Sequence, residues 1–350
     1  MKTKPEPRTI VVFNHHHLGD LVGSLPALLA LRQRWPQARI VNVAPPAPLG
    51  LLKHSGLSDA LISCPKNLRG FLNAFKQVRR ERPDMAVCFS GTRRVAIMAR
   101  SSGAKIRIGF SPTKHDWAWT IKVPVKGPPA LQHDLRMVET LGCPAVQQDY
   151  VGLLKPSSEE RQMATQWLQE NGVHADEPLV GFNMGASVDR RRWGADNFAH
   201  VANELAARGA RLVAFGGPQD TGLVEAFQAL VKTPVMVAAG RFTPRQSAAL
   251  MERCAVMVTG DTGPMHLAIA VDTPVVALFG IVPASYRLPV GYSHIGLERN
   301  EECQKLPQAK CRYINECSCL RAITPTEVVE AASSLLARRH DLVRKTEVMD

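Results

Sequence analysis

Short apolar runs recur along the chain, and most stop at a glycine or polar turn. They alternate with segments whose apolar positions repeat at helical spacing. In the first half the runs are Thr9–Asn14, Arg39–Ala44, Ala60–Ile62, Met85–Phe89 and Ile106–Ile108. Fully apolar runs of this length read as buried parallel strands. The helical segments between them are 21–35, 68–82, 92–101 and 133–141, the first showing Leu21, Leu25, Leu28, Leu29 and Leu31 on one face. Pro26 falls early in that helix and either kinks it or sits in its first turn. The second half repeats the alternation. Its strands are Leu179–Asn183, Arg211–Phe215, Pro234–Val237, Val256–Thr259 and Pro274–Leu278, and its helices are 157–171, 196–208, 244–253 and 265–271. A last helix, 324–338, opens on Thr324 with Pro325 at its first position. The stretch 142–178 is polar and carries Pro144, Pro156 and Pro178, so the junction between two α/β domains is expected there. The expected division is residues 1–150, a linker with one helix at 151–178, a second domain at 179–323, and a terminal helix at 324–350.

Strand–loop–helix units of this kind place ligands at the carboxyl ends of the strands. The stretch 256–280 is the most informative. A strand ends at Gly260, Asp261-Thr262-Gly263-Pro264 turns the chain, and a helix with His266 in its first turn follows. Free first-turn N–H groups and the helix dipole favour an anion there. In the first half, His15-His16-His17-Leu18-Gly19-Asp20 occupies the equivalent loop after the first strand. Three adjacent histidines suggest a metal, but neighbours on one loop rarely converge on one ion, and no Asp-X-Asp motif is present. Ser90-Gly91-Thr92, followed by Arg93 and Arg94, lies at the same sheet edge. These arginines either meet an anionic ligand or are simply solvated.

Composition narrows the classes. The chain has 350 residues, 45% hydrophobic and 21% charged, as expected of a globular protein of two domains. The formal net charge of +12 favours a polyanionic partner: nucleic acid, an anionic membrane surface or a phosphorylated substrate. The basic residues are scattered and aromatics make up only 6%, which disfavours nucleic acid read by stacking. No run is long and apolar enough to span a bilayer, and Met1–Arg8 lacks a signal-peptide core, so a cytoplasmic protein is expected. Cys64, Cys88, Cys143 and Cys254 read as buried thiols. Cys303, Cys311, Cys317 and Cys319 cluster and form a candidate structural zinc or iron site, although their spacing departs from the usual paired form and free thiols are the default.

The segment Asp261-Thr262-Gly263-Pro264-Met265-His266, with the Thr273–Gly280 strand after it, resembles the D-T-G-x-x-H hallmark of the bacterial heptosyltransferases, glycosyltransferase family 9. Other matches follow along the chain. Gly19-Asp20 and Leu25-Pro26-Ala27-Leu28 resemble the family's first loop and helix. Gly185-Ala186-Ser187, Arg191-Arg192-Trp193 and Gly216-Gly217-Pro218 with Asp220 resemble its second-domain motifs, and Cys319-Leu320-Arg321-Ala322-Ile323 resembles the tail of some members. The resemblance covers about residues 9–338. This chain departs from the family at Arg191 (usually Lys), Gly194 (usually Pro), Asp220 (usually Glu) and the triple histidine.

The resemblance implies two Rossmann-like domains facing a cleft, the GT-B architecture, with acceptor on the first and donor on the second, and the terminal helix packed back on the first. It implies an inverting, metal-independent transfer of heptose from ADP-heptose to a lipopolysaccharide-core or related glycan. Asp20 would be the catalytic base, where the alternative is that it only caps its helix. Arg191 would neutralise the leaving diphosphate, where the alternative is a solvated or RNA-binding basic patch. Ala186, Ser187, Asp220, Asp261, Thr262, Gly263 and His266 are expected on the donor, and His17, Gly19 and Arg93 on the acceptor. No cofactor and no nucleic acid are expected, and peripheral contact with an anionic membrane fits the charge. Competing readings are another nucleotide sugar, a different acceptor, or a sugar-nucleotide-binding accessory protein without turnover.

Overall fold

The structure, a computed structural model, describes residues 6–125, 127, 132–174, 177–186, 191–280, 282–299 and 318–347. The chain forms two compact units, Met1–Leu154 and Lys155–Asp350.

The first unit holds strands β1 (Thr9–Phe13), β2 (Arg39–Ala44), β3 (Ala60–Ser63), β4 (Met85–Cys88), β5 (Ile106–Ser111) and β6 (Ile121–Pro124). Every pairing is parallel, in the order β3-β2-β1-β4-β5-β6. Phe13 is level with both Val43 and Cys88, so the central strands end at one edge. Helices α1 (Leu18–Gly23), α2 (Leu25–Arg34), α3 (Pro46–Leu49), α4 (Leu68–Arg80), α5 (Arg93–Ser101) and α6 (His133–Glu139) accompany the sheet. Val11, Phe13, Val41, Val43, Ala86 and Cys88 form the core with Val78, Val95 and Met98 of α4 and α5.

The helix expected over 21–35 is two helices, broken at Ser24. Pro26 lacks an N–H and takes the second position of α2, where none is required. The Ser24 N–H closes α1 on Asp20 O and Leu21 O. Strand β6 was not expected; it is short and only one of its residues is buried.

The second unit repeats the design with β7 (Leu179–Asn183), β8 (Arg211–Phe215), β9 (Val235–Val237), β10 (Val256–Gly260), β11 (Val275–Phe279) and β12 (Ile295–Glu298), in the order β12-β11-β10-β7-β8-β9. Counted within the unit this is the same strand order as in the first, again all parallel. Its helices are α7 (Ser158–Glu170), α8 (Ala195–Ala206), α9 (Thr221–Gln228), α10 (Pro244–Arg253), α11 (Gly263–Ala270), α12 (Ser318–Arg321) and α13 (Pro325–Glu347).

The unit boundaries differ from expectation in two places. Helix α7, expected inside a linker, belongs to the second unit. Arg245 of α10, buried, grips both carboxylate oxygens of Glu160 at 2.7 and 2.8 Å, and Arg161 pairs with Glu252. The terminal helix was expected on the first domain, yet Val328, Val329, Ala332 and Leu335 of α13 are buried in the core of the second unit with Val201, Val258 and Leu278. Among the described residues no helix is long and apolar enough to cross a membrane.

Candidate active site

In a sheet of this order, the strands leave the centre in opposite directions at β1/β4 in the first unit and at β7/β10 in the second. The space beyond the carboxyl ends of such a pair is the usual ligand site. The loops singled out in the sequence all lie at these two points.

At the first point, β1 runs into Asn14, which is buried beside buried Asn42 and Ser24. Asn14 Oδ1 accepts from the His15 N–H at 2.8 Å and from Ser24 Oγ at 3.1 Å, while Asn14 donates to Asn42 and Asn42 donates to Ser58. One amide thus ties both ends of the loop and helix that carry Asp20. Asp20 is not a cap. The N-cap of α1 is exposed His17, which makes no capping side-chain bond, and Asp20 stands half-buried in the first turn. Its carboxylate accepts no hydrogen bond among the described residues. Gly19 is buried beside it.

The three histidines differ sharply. His15 Nε2 lies 2.6 Å from Asp134 Oδ2, and its ring stacks on Phe89. Burial alone would depress the His15 pKa, but the charge and hydrogen bond of Asp134, then the charge of Asp20, carry it above the ordinary value. His16 faces Ser90 Oγ at 3.3 Å, and burial, with the positive neighbours His17, Lys66, His15 and Arg94, lowers its pKa.

Next to this loop, beyond β1, β2 and β3, is a pocket of about 350 Å³ counted to its open mouth. His16, Lys66 and Arg94 give it polar walls, and Val43, Pro45 and Met98 an apolar floor. Arg94 is committed to the backbone carbonyls of Lys66 and Asn67 and lies over the Phe71 ring, so it shapes the pocket. Arg93 is exposed at the first position of α5, with no ion pair among the described residues.

At the second point, β7 ends at buried Asn183, whose side chain accepts from the Gly185 N–H at 3.1 Å. Ala186 follows, half-buried, and Ser187 lies outside the described residues. Arg191, half-buried, makes no ion pair among the described residues. Trp193 is an anchor rather than a ligand group: it is buried edge-on to Phe198, and its indole N–H donates to Ile323 O at 2.9 Å.

Asp220 is buried at the end of the loop after β8, where its Oδ2 accepts from the Gly217 N–H at 2.8 Å. A Cβ at Gly185 would come within 2.9 Å of Asp220 Oδ1, and one at Gly216 within 2.9 Å of its Cβ. Both glycines are there because the Asp220 side chain fills that space.

After β10, Thr262 is the N-cap of α11 but makes no capping side-chain bond. The first-turn N–H groups of α11 therefore get no acceptor from the Thr262 side chain, and a helix N-terminus of this kind favours an anion. Asp261 Oδ1 lies 3.8 Å from Arg287 Nε. His266, expected at the open turn, is instead buried at 4% exposure. Burial, reinforced by the Arg287 charge, pushes its pKa down to about 3, so it stays neutral.

Arg287 and Asp134 were not read as site residues. Arg287 follows a short 3₁₀ turn (Ala284–Tyr286) in a segment with no strong period, and Asp134 meets His15 across 119 residues. Among the described residues no three His, Cys, Asp or Glu gather as a metal site. Cys303, Cys311 and Cys317 lie outside the described residues, and Cys319 is buried.

Comparison with known proteins accounts for this arrangement. Residues 71–315 match the model of glycosyltransferase family 9 (heptosyltransferase). The chain is similar to lipopolysaccharide heptosyltransferase 3 of Escherichia coli, 24% identical over 333 residues, covering 91% of this chain and 96% of the relative. Its fold is that of a family 9 glycosyl transferase from Veillonella parvula, with a TM-score of 0.86, 26% identity and coverage of 95% and 98% of the two chains. It also matches the E. coli ADP-heptose lps heptosyltransferase II, with a TM-score of 0.79, 22% identity and coverage of 95% and 99%. Two like-ordered Rossmann sheets, each with its marked loops at the switch point, and a family match across most of the chain make this protein an enzyme of glycosyltransferase family 9, the heptosyltransferases.

Proposed function

We propose that the chain is an inverting, metal-independent transferase that moves heptose from ADP-heptose to a lipopolysaccharide-core or related glycan acceptor. The observation that carries this reading is the contrast between the two switch points. Among the described residues, the first bears a carboxylate that accepts no hydrogen bond, and the second bears an arginine with no ion pair and a helix whose N-cap side chain makes no capping bond. The acceptor hydroxyl attacks the anomeric carbon and gives its proton to Asp20. The bond to ADP breaks on the opposite face, which inverts that carbon. Charge then grows on the departing diphosphate, and Arg191 with the Thr262–Gly263 turn takes it up. Asp220 and Asp261 hold hydroxyls of the donor, and Ala186 and Ser187 line its site. His266, buried and neutral, supports the turn from behind. His17, Gly19 and Arg93 meet the acceptor.

A relative named for ADP-heptose supports the donor, and the +12 charge supports an anionic acceptor at the inner face of the cytoplasmic membrane. In this reading arginine and amides replace a divalent ion, so a chelator leaves the rate unchanged. The test compares wild type with Asp20→Asn, using ADP-heptose and a lipopolysaccharide core that lacks heptose. The rate constant should fall by about 10²–10⁴-fold with donor affinity retained. Full transfer by the variant would end this assignment, and donor binding without turnover by wild type would favour the accessory-protein reading.

A further inference from the structure

Among the described residues His15 is the one histidine of the triplet tied to a carboxylate, and two distant segments meet on its ring. Its main-chain N–H is held by Asn14 at 2.8 Å. Its ring lies against Phe89, just beyond β4, with centroids 6.1 Å apart and planes within 14°. Its Nε2 is 2.6 Å from Asp134, which is itself buried at the start of α6. An ionised carboxylate in that position needs a cationic partner, because a lone buried charge is costly. The charged groups facing the imidazole are Asp134 from α6 and Asp20 from α1, with His16 on its own loop. Phe89 brings no charge. Two carboxylates against one weak base favour its protonated form.

We propose that His15 and Asp134 form a positioning pair for Asp20. The imidazolium, fixed between Asp134 and Phe89, anchors the loop that leads into the Asp20 helix and sets a positive charge beside the Asp20 carboxylate. The pair acts through Asp20 and touches no reacting atom, so the inference rests on the reading of Asp20 as the base. It also gives the triplet a division of labour. His15, half-buried, is paired with Asp134, His16 faces Ser90, and His17 is exposed at the helix entry.

The first measurement needs no substrate. Histidine ring titrations are followed by nuclear magnetic resonance in the full chain, with the His15 signal identified by its absence in His15→Gln. The His15 ring should titrate above 6.5 in wild type. It should move down by about one unit or more in Asp134→Asn, and by a smaller amount in Asp20→Asn. A wild-type ring that titrates at or below 6.5, or that Asp134→Asn leaves in place, overturns the proposal.

The second measurement is kcat and KM against pH, with ADP-heptose and heptose-free lipopolysaccharide core. His15→Gln, neutral at every pH, should lower kcat by about 10–100-fold with the donor KM within about two-fold. It should also lose the decline that wild type shows as pH rises through the His15 titration. His15→Arg, charged throughout, should restore activity above that pH. Wild-type kcat and an unchanged profile in His15→Gln overturn the proposal. If His15→Gln does not fold, the Asp134→Asn and Asp20→Asn titrations decide it. A raised His15 titration in a protein that transfers nothing would uphold the charged pair and strike the transferase reading instead.

Discussion

The burial of His266 should weaken the second unit at mildly acid pH, and the magnitude follows from that burial. The imidazole is 4% exposed in α11, where Met265, Leu267, Ala268 and Ile269 are all buried and Arg287 adds a repelling charge. Its pKa falls from an ordinary 6.5 to about 3. Between those limits the unfolded chain takes up a proton that the folded chain refuses. Stability is thus undiminished by this group above pH 7 and is lost as pH falls below 6.5. Each pH unit below 6.5 costs about 1.4 kcal/mol, so pH 5 costs about 2 kcal/mol. His266→Gln keeps a polar group of similar reach that does not titrate, and it cancels only this contribution. The assay is native-state hydrogen exchange of the β10 and β11 amides at pH 7.5 and pH 5.0, which reports the second unit alone. Wild type should lose about 2 kcal/mol more than His266→Gln over that interval. A difference below about 0.5 kcal/mol would mean that the ring is solvated or paired with a carboxylate, and the reasoning would fail.

Other outcomes are expected. Arg191→Gln should lower kcat by about 10²–10³-fold while Arg191→Lys retains most of it, read by ADP release from ADP-heptose; equal loss in both would show that fork geometry outweighs charge. Trp193→Phe should keep the ring packing but strand the Ile323 carbonyl, costing about 1–3 kcal/mol in denaturant unfolding. Arg245→Met should take the cation from half-buried Glu160, which keeps the Ser157 N–H, and cost about 1–3 kcal/mol, visible as a drop in melting temperature. A drop of under a degree would show Glu160 finding water or another cation.

The parallel strands were readable because buried runs such as Val256–Val258 and Val275–Leu278 have no polar residue to blur them. Strand β12 escaped notice because all four of its residues are half-buried and one is glycine, so it presents neither an apolar run nor an alternation. The break at Ser24 was half-visible. Pro26 signalled it, but the side chain that closes α1 needs Asn14 as its partner, and that contact is tertiary. The site shows the same limit. Asp20, Arg191 and Thr262 are marked by local motifs, whereas Asp134 and Arg287 gain meaning only from what the fold brings next to them. The depth of His266 was not legible either: the stretch Met265–Ala270 is buried, and the ring goes in with it.

The repeated strand order has a consequence for ancestry and for engineering. Each sheet completes its own ladder, and no strand of one half is paired in the other. With α13 seated in the second core, a genetic cut between Leu154 and Lys155 severs neither ladder. Such a gene is open to recombination at that seam. A half from one lineage, with its own loops after β1 and β4, can be joined to a half from another without redesigning either interior.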